Sequence, residues 1–373
     1  MSEPSQNSGA RHRLIEIGVV LQGGGALGAY ECGGMTALFE LMDKAQAGGK
    51  TVVLKSVSGV SVGAINAACI VGATDRADGR KRIDALWDEL ILAAPGFWPG
   101  EAQRDLSLFG LPGFYTQRTD YLSFATWTSY YDTAPLRATL ERHVDFAALN
   151  ASETFFVVAA VDVESGELKR FVNRAIGDDA PTKIAPEHIM ASGSLPPQFP
   201  WTKIDGCSYW DGALVDNTPL GDAIDAFSHG DDVCRILVVM DLYPLSARLP
   251  RRLTDVQDRI HELAFGNRLR QDRERALRLN EFLTTIGELA ALVPPDKMPV
   301  KLAELVAQAR AFKTIQVVDV DMQNPNMEGR PRLQKASDDE FGLRDFTQET
   351  VSRRRADGYR LVRDRLAPIF EAA

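Results

Sequence analysis

The sequence predicts an α/β fold, a mostly parallel central sheet covered by helices and followed by a mainly helical C-terminal extension. Three observations lead there. Two strand–turn–helix units succeed one another near the start, which calls for parallel strands joined by right-handed crossovers. Hydrophobic residues make up 45% and charged residues 25% of the 373, a globular mixture in a chain long enough to bury a large core. From about Pro250 onward the chain becomes charged with a helical period, which sets that part apart.

In chain order, Met1–Arg13 is polar with no apolar run, so it reads as a disordered tail and not as a secretory leader. Leu14–Leu21 is rich in Ile and Val and ends at a glycine cluster, the pattern of a buried strand. Ala26–Met42 has helical spacing, broken by Gly48-Gly49. Thr51–Val57 is a second β-branched run, ended by Gly59 and followed by a helix of small residues through Ala64, Ala67 and Ile70. Ile83–Leu92 and Ala134–Val144 read as helices, the latter capped by Asp132 or Thr133. Phe155–Val163 and Leu168–Val172 are strands around a Ser165-Gly166 turn, and Arg235–Asp241 is one more buried strand. Pro250–Val293 is helical in period, Lys313–Val320 a late strand and Gln348–Leu366 a closing helix. The best boundary falls at Pro244–Pro250. It divides a catalytic region, 14–245, from a C-terminal region, 246–373.

Composition narrows the function. Lys and Arg number 42 against 51 Asp and Glu, a net charge of −9, and with no basic tail this argues against nucleic acid as a partner. Four scattered cysteines (Cys32, Cys69, Cys207, Cys234) form no C-x-x-C and no metal-ligand spacing. They fit a reducing, cytoplasmic compartment and no metal centre. No run approaches 18 apolar residues, so no spanning helix is expected.

Three motifs carry chemistry. Gly59-Val60-Ser61-Val62-Gly63 is a G-x-S-x-G at a strand-to-helix junction, where a nucleophilic Ser sits on a sharp turn that only small neighbours admit. The loop Gly23-Gly24-Gly25-Ala26-Leu27-Gly28 follows the first strand, and its bare N–H groups suit an oxyanion or a phosphate. It also satisfies the dinucleotide pattern G-x-G-x-x-G. That alternative, an NAD(P)-binding oxidoreductase, needs an acidic residue at the end of the second strand, where Lys55-Ser56-Val57-Ser58-Gly59 has none. The third motif is Tyr209-Trp210-Asp211-Gly212-Ala213, soon followed by Asn217-Thr218-Pro219. Asp-Gly is usually a turn, and Asp205-Gly206 just upstream reads as one. A Ser nucleophile needs a base, and none of His12, His143, His188, His229 and His261 is placed to serve by sequence. An Asp can serve if burial raises its pKa toward the working range.

Taken together, the glycine loop, G-x-S-x-G and D-G-A in this order resemble the patatin-like phospholipase family, bacterial type. Ala191-Ser192-Gly193-Ser194-Leu195-Pro196, running on to Phe199-Pro200, is similar to that family's A-S-x-x-x-P segment. The likeness spans about Ile15–Asp241; the rest is similar to an accessory C-terminal region of some members. The resemblance implies a three-layer α/β/α sandwich and hydrolysis of lipid acyl esters by a Ser–Asp dyad without cofactor. By position, Ser61 is the nucleophile between Gly59 and Gly63, Asp211 of Asp211-Gly212-Ala213 the base, and the loop Gly23, Gly24, Gly25, Ala26, Leu27, Gly28 the oxyanion hole, centred on Gly24 and Gly25. Many members carry a basic residue where this chain has Leu27, and D-G-A replaces D-G-G. The implied partner is a lipid ester, a phospholipid, a neutral lipid or a storage polyester, met in the cytoplasm or peripherally at a membrane surface. A lipid-binding module that has lost turnover is a further alternative, against which the intact Ser61 and Asp211 speak.

Two segments are distinctive but less specific. Between Phe97 and Tyr131, ten of 35 residues are aromatic, either a flap or wall for an acyl chain or an insertion with its own small cluster. Arg248–Arg278 holds nine arginines against five acidic residues, either a lipid-facing helix or the solvated face of a packed one.

Overall fold

The computed structural model describes residues 14–95, 97–177, 179–230, 232–243, 249–250, 253–294, 297–310, 314–322 and 342–372. The predicted tail 1–13 and most of the boundary segment 244–250 lie outside the described residues.

The chain opens with strand β1 (Leu14–Leu21), a 3-10 turn (Gly25–Leu27), helix α1 (Gly28–Ala47), β2 (Thr51–Gly59), α2 (Val62–Val71) and α3 (Arg76–Glu89). Then come α4 (Gly100–Asp105) and the short strands β3 (Gly110–Leu111), β4 (Tyr115–Gln117) and β5 (Tyr131–Asp132), which form a small antiparallel sheet of their own. Helices α5 (Ala134–His143) and α6 (Phe146–Ala151) lead to β6 (Phe155–Asp162), β7 (Leu168–Val172), α7 (Pro186–Ser192), β8 (Thr202–Ile204) and β9 (Cys207–Asp211). The chain continues through α8 (Leu220–Asp225), β10 (Val233–Asp241), α9 (Leu253–Ala291), α10 (Val300–Arg310), β11 (Gln316–Asp321) and α11 (Gln348–Ala372).

The predicted α/β architecture with a mostly parallel central sheet is the one found. The main sheet runs β11-β10-β1-β2-β6-β9-β8, with β7 also paired to β6. The pairs β11/β10, β10/β1, β1/β2 and β2/β6 are parallel, and β7, β8 and β9 run antiparallel to their neighbours. Strand β1 is buried on both faces, which is why its sequence is a continuous apolar run and not an alternation. Ile15, Ile17, Val19 and Leu21 pack in the cluster that contains α1, whereas Val20 packs with Leu220, Ala223 and Phe227 from the other side. The two helical layers are therefore unequal: α1, α2, α3 and α11 on one face, chiefly α8 on the other. Strands β2 and β10 lie on opposite sides of β1, so chain order reverses at β1. The loop after its carboxyl end is the switch point where open α/β sheets place their ligands.

The C-terminal region takes part in this core. Strand β11 extends the sheet beyond β10, and α11 lies along α1 at backbone contact. A Cβ on Gly33 would strike the Arg355 carbonyl, and one on Gly358 the Tyr30 carbonyl. Among the described residues, no helix is long and apolar enough to cross a membrane.

Candidate active site

Ser61 stands between β2 and α2 with φ 54° and ψ −123°, a left-handed conformation that costs a non-glycine residue about 1–3 kcal/mol. The surroundings enforce it. A Cβ on Gly59 would meet the Gly63 carbonyl, and one on Gly63 the Leu21 carbonyl, so the turn closes this tightly only with glycine on both sides. Ser61 donates its backbone N–H to Ser192 Oγ at 3.1 Å, and the N-terminus of α2 lends its dipole to the hydroxyl.

Asp211 ends β9, and the sheet register brings it to Ser61. Gly59 pairs with Val158 in the β2/β6 ladder and Ala160 with Asp211 in the β6/β9 ladder. Two residues beyond Gly59, Ser61 is thus level with Asp211 across β6. The carboxyl is 1% exposed and accepts the Ala213 N–H at 2.9 Å. Burial pushes its pKa up to about 7, opposed by the Ala213 N–H and by the nearby Ser61 hydroxyl. Asp211 donates its own N–H to the Ser194 carbonyl at 3.0 Å. The Ala191–Pro196 segment thus has a physical task, since Ser192 holds Ser61 and Ser194 holds Asp211.

The glycine loop is narrower as a donor set than its six residues suggested. Gly23 donates its N–H to Asn217 Oδ1 at 2.9 Å, and its carbonyl accepts from Asn217 Nδ2 at 3.2 Å and Tyr243 OH at 2.5 Å. Leu27 N–H goes to the Gly24 carbonyl, and Gly28 N–H to carbonyls of the same turn. Gly23, Leu27 and Gly28 therefore build the loop, and among the described residues the N–H groups of Gly24, Gly25 and Ala26 meet no acceptor. Gln22 completes the frame, donating to Thr218 Oγ1 at 2.7 Å and accepting the Leu242 N–H at 2.8 Å.

Ser61, Asp211, Gly24 and Gly25 line one cavity of about 400 Å³. Its walls explain the aromatic segment, whose inner half (Phe114, Tyr115, Tyr131) packs against Phe199 at centroid distances of 5.6, 5.3 and 6.2 Å. The outer half, including Phe97, Phe109, Tyr121 and Phe124, is exposed. The roof comes from parts of the chain in which no site residue was expected, with Ile260, His261 and Phe265 on α9 and Leu343, Arg344 and Phe346 before α11. His261 stacks on Phe265 at 5.6 Å, and burial together with the Arg344 charge holds its pKa below the usual range. The other described histidines are elsewhere: His143 faces Glu89 at 2.7 Å, His188 packs edge-on to Phe171, and His229 lies in the loop between α8 and β10.

A sequence profile for the family described as patatin-like phospholipase matches residues 19–224. A search among curated proteins returns no match. Among solved structures, VipD from Legionella pneumophila is similar at 16% identity and a TM-score of 0.41, over 97% of this chain and 68% of that one. Human GIVD cytosolic phospholipase A2 in complex with methyl gamma-linolenyl fluorophosphonate is similar at 14% and 0.43, over 99% and 60%. The ExoU–SpcU heterodimer of the Pseudomonas aeruginosa type III secretion system is similar at 18% and 0.30, over 81% and 58%. The chain thus spans less than two thirds of the last two structures.

Proposed function

The chain belongs to the patatin-like phospholipase family, and from that premise we propose that it is a serine lipid acyl hydrolase working by a Ser61–Asp211 dyad. The observation that carries this reading is a strained Ser61 level with a buried Asp211, in one cavity with Gly24 and Gly25 N–H groups that meet no acceptor among the described residues. Asp211 takes the Ser61 Oγ proton as Oγ bonds to the ester carbonyl carbon, and the Gly24 and Gly25 N–H groups hold the oxyanion that forms. Collapse breaks the bond to the alcohol, which leaves with the proton from Asp211. Water then attacks the acyl-enzyme, giving its proton to Asp211, and the fatty acid departs as Ser61 is reprotonated. No cofactor enters this cycle. The apolar walls suit an acyl chain, and the exposed Tyr130 and Ile260 at the rim suit a protein that meets lipid peripherally from the cytoplasmic side.

The decisive experiment is mass spectrometry of the protein after brief exposure to a cell lipid extract. An acyl adduct should appear on the peptide carrying Ser61 and be absent from Ser61→Ala. An adduct on another residue, or full ester turnover by Ser61→Ala, would overturn the assignment.

A further inference from the structure

Three buried polar side chains that take no part in the chemistry above meet beside the glycine loop: Glu31 of α1, Asn66 of α2 and Trp87 of α3. None of them lines the cavity. Asn66 is their centre. Its Nδ2 donates to Glu31 Oε2 at 2.8 Å and to the Gly28 carbonyl at 3.1 Å, and its Oδ1 accepts from Trp87 Nε1 at 2.9 Å. Both N–H bonds and the carbonyl oxygen of the amide are thereby engaged, which fixes its orientation. Gly28 closes the glycine loop and opens α1, so Asn66 ties the end of that loop to the helix that Ser61 caps. The two turns also touch directly. A Cβ on Gly28 would collide with the Val62 methyl groups, and one on Gly63 with the Leu21 and Gln22 carbonyls.

Glu31 is the costly member of the group. Its Oε1 meets no partner among the described residues. Burial pushes its pKa well above the usual carboxylate range, opposed by the Asn66 amide and the nearby Gln22 N–H. A residue needed there only for its volume would be apolar, because a buried oxygen without a partner destabilises the fold. What Glu31 supplies is an acceptor. Without it one Asn66 N–H would be buried unpaired, and the amide would turn from Gly28 or Trp87 to find another partner.

We propose that Asn66 and Glu31 are positioning residues for the reaction, a brace that holds the Gly24 and Gly25 donors at a fixed distance from Ser61 Oγ. The inference rests on the hydrolase reading above. Neither side chain touches the substrate; both act through Gly28 and the loop it ends. The physical reason is preorganisation: oxyanion donors must already stand where the charge will form, and a displacement of about 1 Å can cost on the order of 100-fold. An uncharged acid suits the place, since a negative charge beside the loop would oppose the oxyanion.

The test is p-nitrophenyl butyrate hydrolysis by folded variants. Glu31→Met keeps the length of the side chain and removes the acceptor, and Asn66→Leu removes the whole amide. Each should lower kcat by about 10- to 100-fold and leave KM within about threefold, because the walls that bind the acyl chain are untouched. The double variant should fall no more than about threefold below the slower single one, as expected of two parts of one brace. Glu31→Gln, whose amide oxygen still accepts from Asn66, should return to within about threefold of wild type. A residue that only stabilised the fold would lower the urea midpoint and leave the kcat of the folded protein unchanged. Wild-type kcat in either folded single variant would overturn the inference and leave the hydrolase reading intact. So would a loss carried by KM, fully additive losses in the double variant, or a Glu31→Gln as slow as Glu31→Met. Should neither single variant fold, Trp87→Phe takes away the donor to Asn66 Oδ1 and should show the same fall in kcat at unchanged KM; wild-type kcat there would equally overturn the inference. If wild type shows no turnover and no adduct forms on Ser61, both readings fall together.

Discussion

Asp211 is the residue on which the proposed chemistry turns, because its burial works against stability and for catalysis at once. Its pKa of about 7 places a usable base at neutral pH, so kcat/KM should rise with pH through one step near that value. Asp211→Asn keeps the shape, removes the base and should lower acylation by the ~10²–10⁴-fold typical of a lost general base. A neutral-pH step alone would not distinguish a carboxylate from an imidazole, and His261 lines the same cavity. The comparison variant is therefore His261→Gln, expected within about tenfold of wild type; a loss as large as that of Asp211→Asn would assign the proton to His261. Stability should move in the opposite direction. Because the folded-state pKa lies above the unfolded value, the native protein holds an extra proton between about pH 4 and 7, and its stability falls as pH rises through that window. Asp211→Asn should then be the more stable protein at pH 8, with the gap closing toward pH 4 in urea titrations. An unchanged difference across that range would mean that the carboxyl is not destabilised by burial.

At the scale of elements, what could be read in advance follows from length and period. Strands β1, β2, β6 and β10 are eight or nine residues of mostly β-branched or apolar side chains, long enough for a pattern to exceed chance. The β8–β9 hairpin was legible only at its turn, Asp205-Gly206, because its strands have three and five residues and carry Lys, Ser and Asp among the apolar ones. The β3-β4-β5 sheet has strands of two or three residues, too short to show alternation. The motifs fixed Ser61, Asp211 and the glycine loop as candidates, but local spacing could not reveal that Asn217 and Tyr243 clasp Gly23, some 200 residues away. The contact of α1 with α11 was equally hidden, since a single glycine in a helical pattern ordinarily only lowers helix propensity. At Gly33 and Gly358 it is what allows two backbones to meet. Gly358→Ala, which should help an exposed helix, is therefore expected to destabilise by about 1–3 kcal/mol or more, because the methyl group must push α11 off α1. A lower urea midpoint at unchanged slope would confirm it; an unchanged or raised midpoint would show that the helices do not meet there.

For the whole molecule, the question is whether the division near residue 245 separates units that fold apart or merely stretches of different composition. A chain ending at Tyr243 would lose β11, leaving β10 as an open sheet edge with unpaired backbone groups. It would also lose α11, uncovering the Gly33 face of α1, and with it the cavity roof built from Phe265, Arg344 and Phe346. Buried side chains removed include Val318 and Val320 on β11 and Val351, Leu361, Val362, Leu366 and Phe370 on α11. At about 1.5–3 kcal/mol for each fully buried apolar side chain, these seven amount to roughly 10–20 kcal/mol. That matches or exceeds the roughly 5–15 kcal/mol by which a native domain is stable at all. The truncated chain should therefore fail to fold cooperatively. It is expected to bind a hydrophobic dye, to show no near-ultraviolet circular dichroism, and to resist labelling of Ser61 by a fluorophosphonate that labels the full chain. A soluble truncated protein with a cooperative melt and wild-type labelling would show instead that the first 243 residues are complete in themselves, and that β11 and α11 only reinforce a finished core.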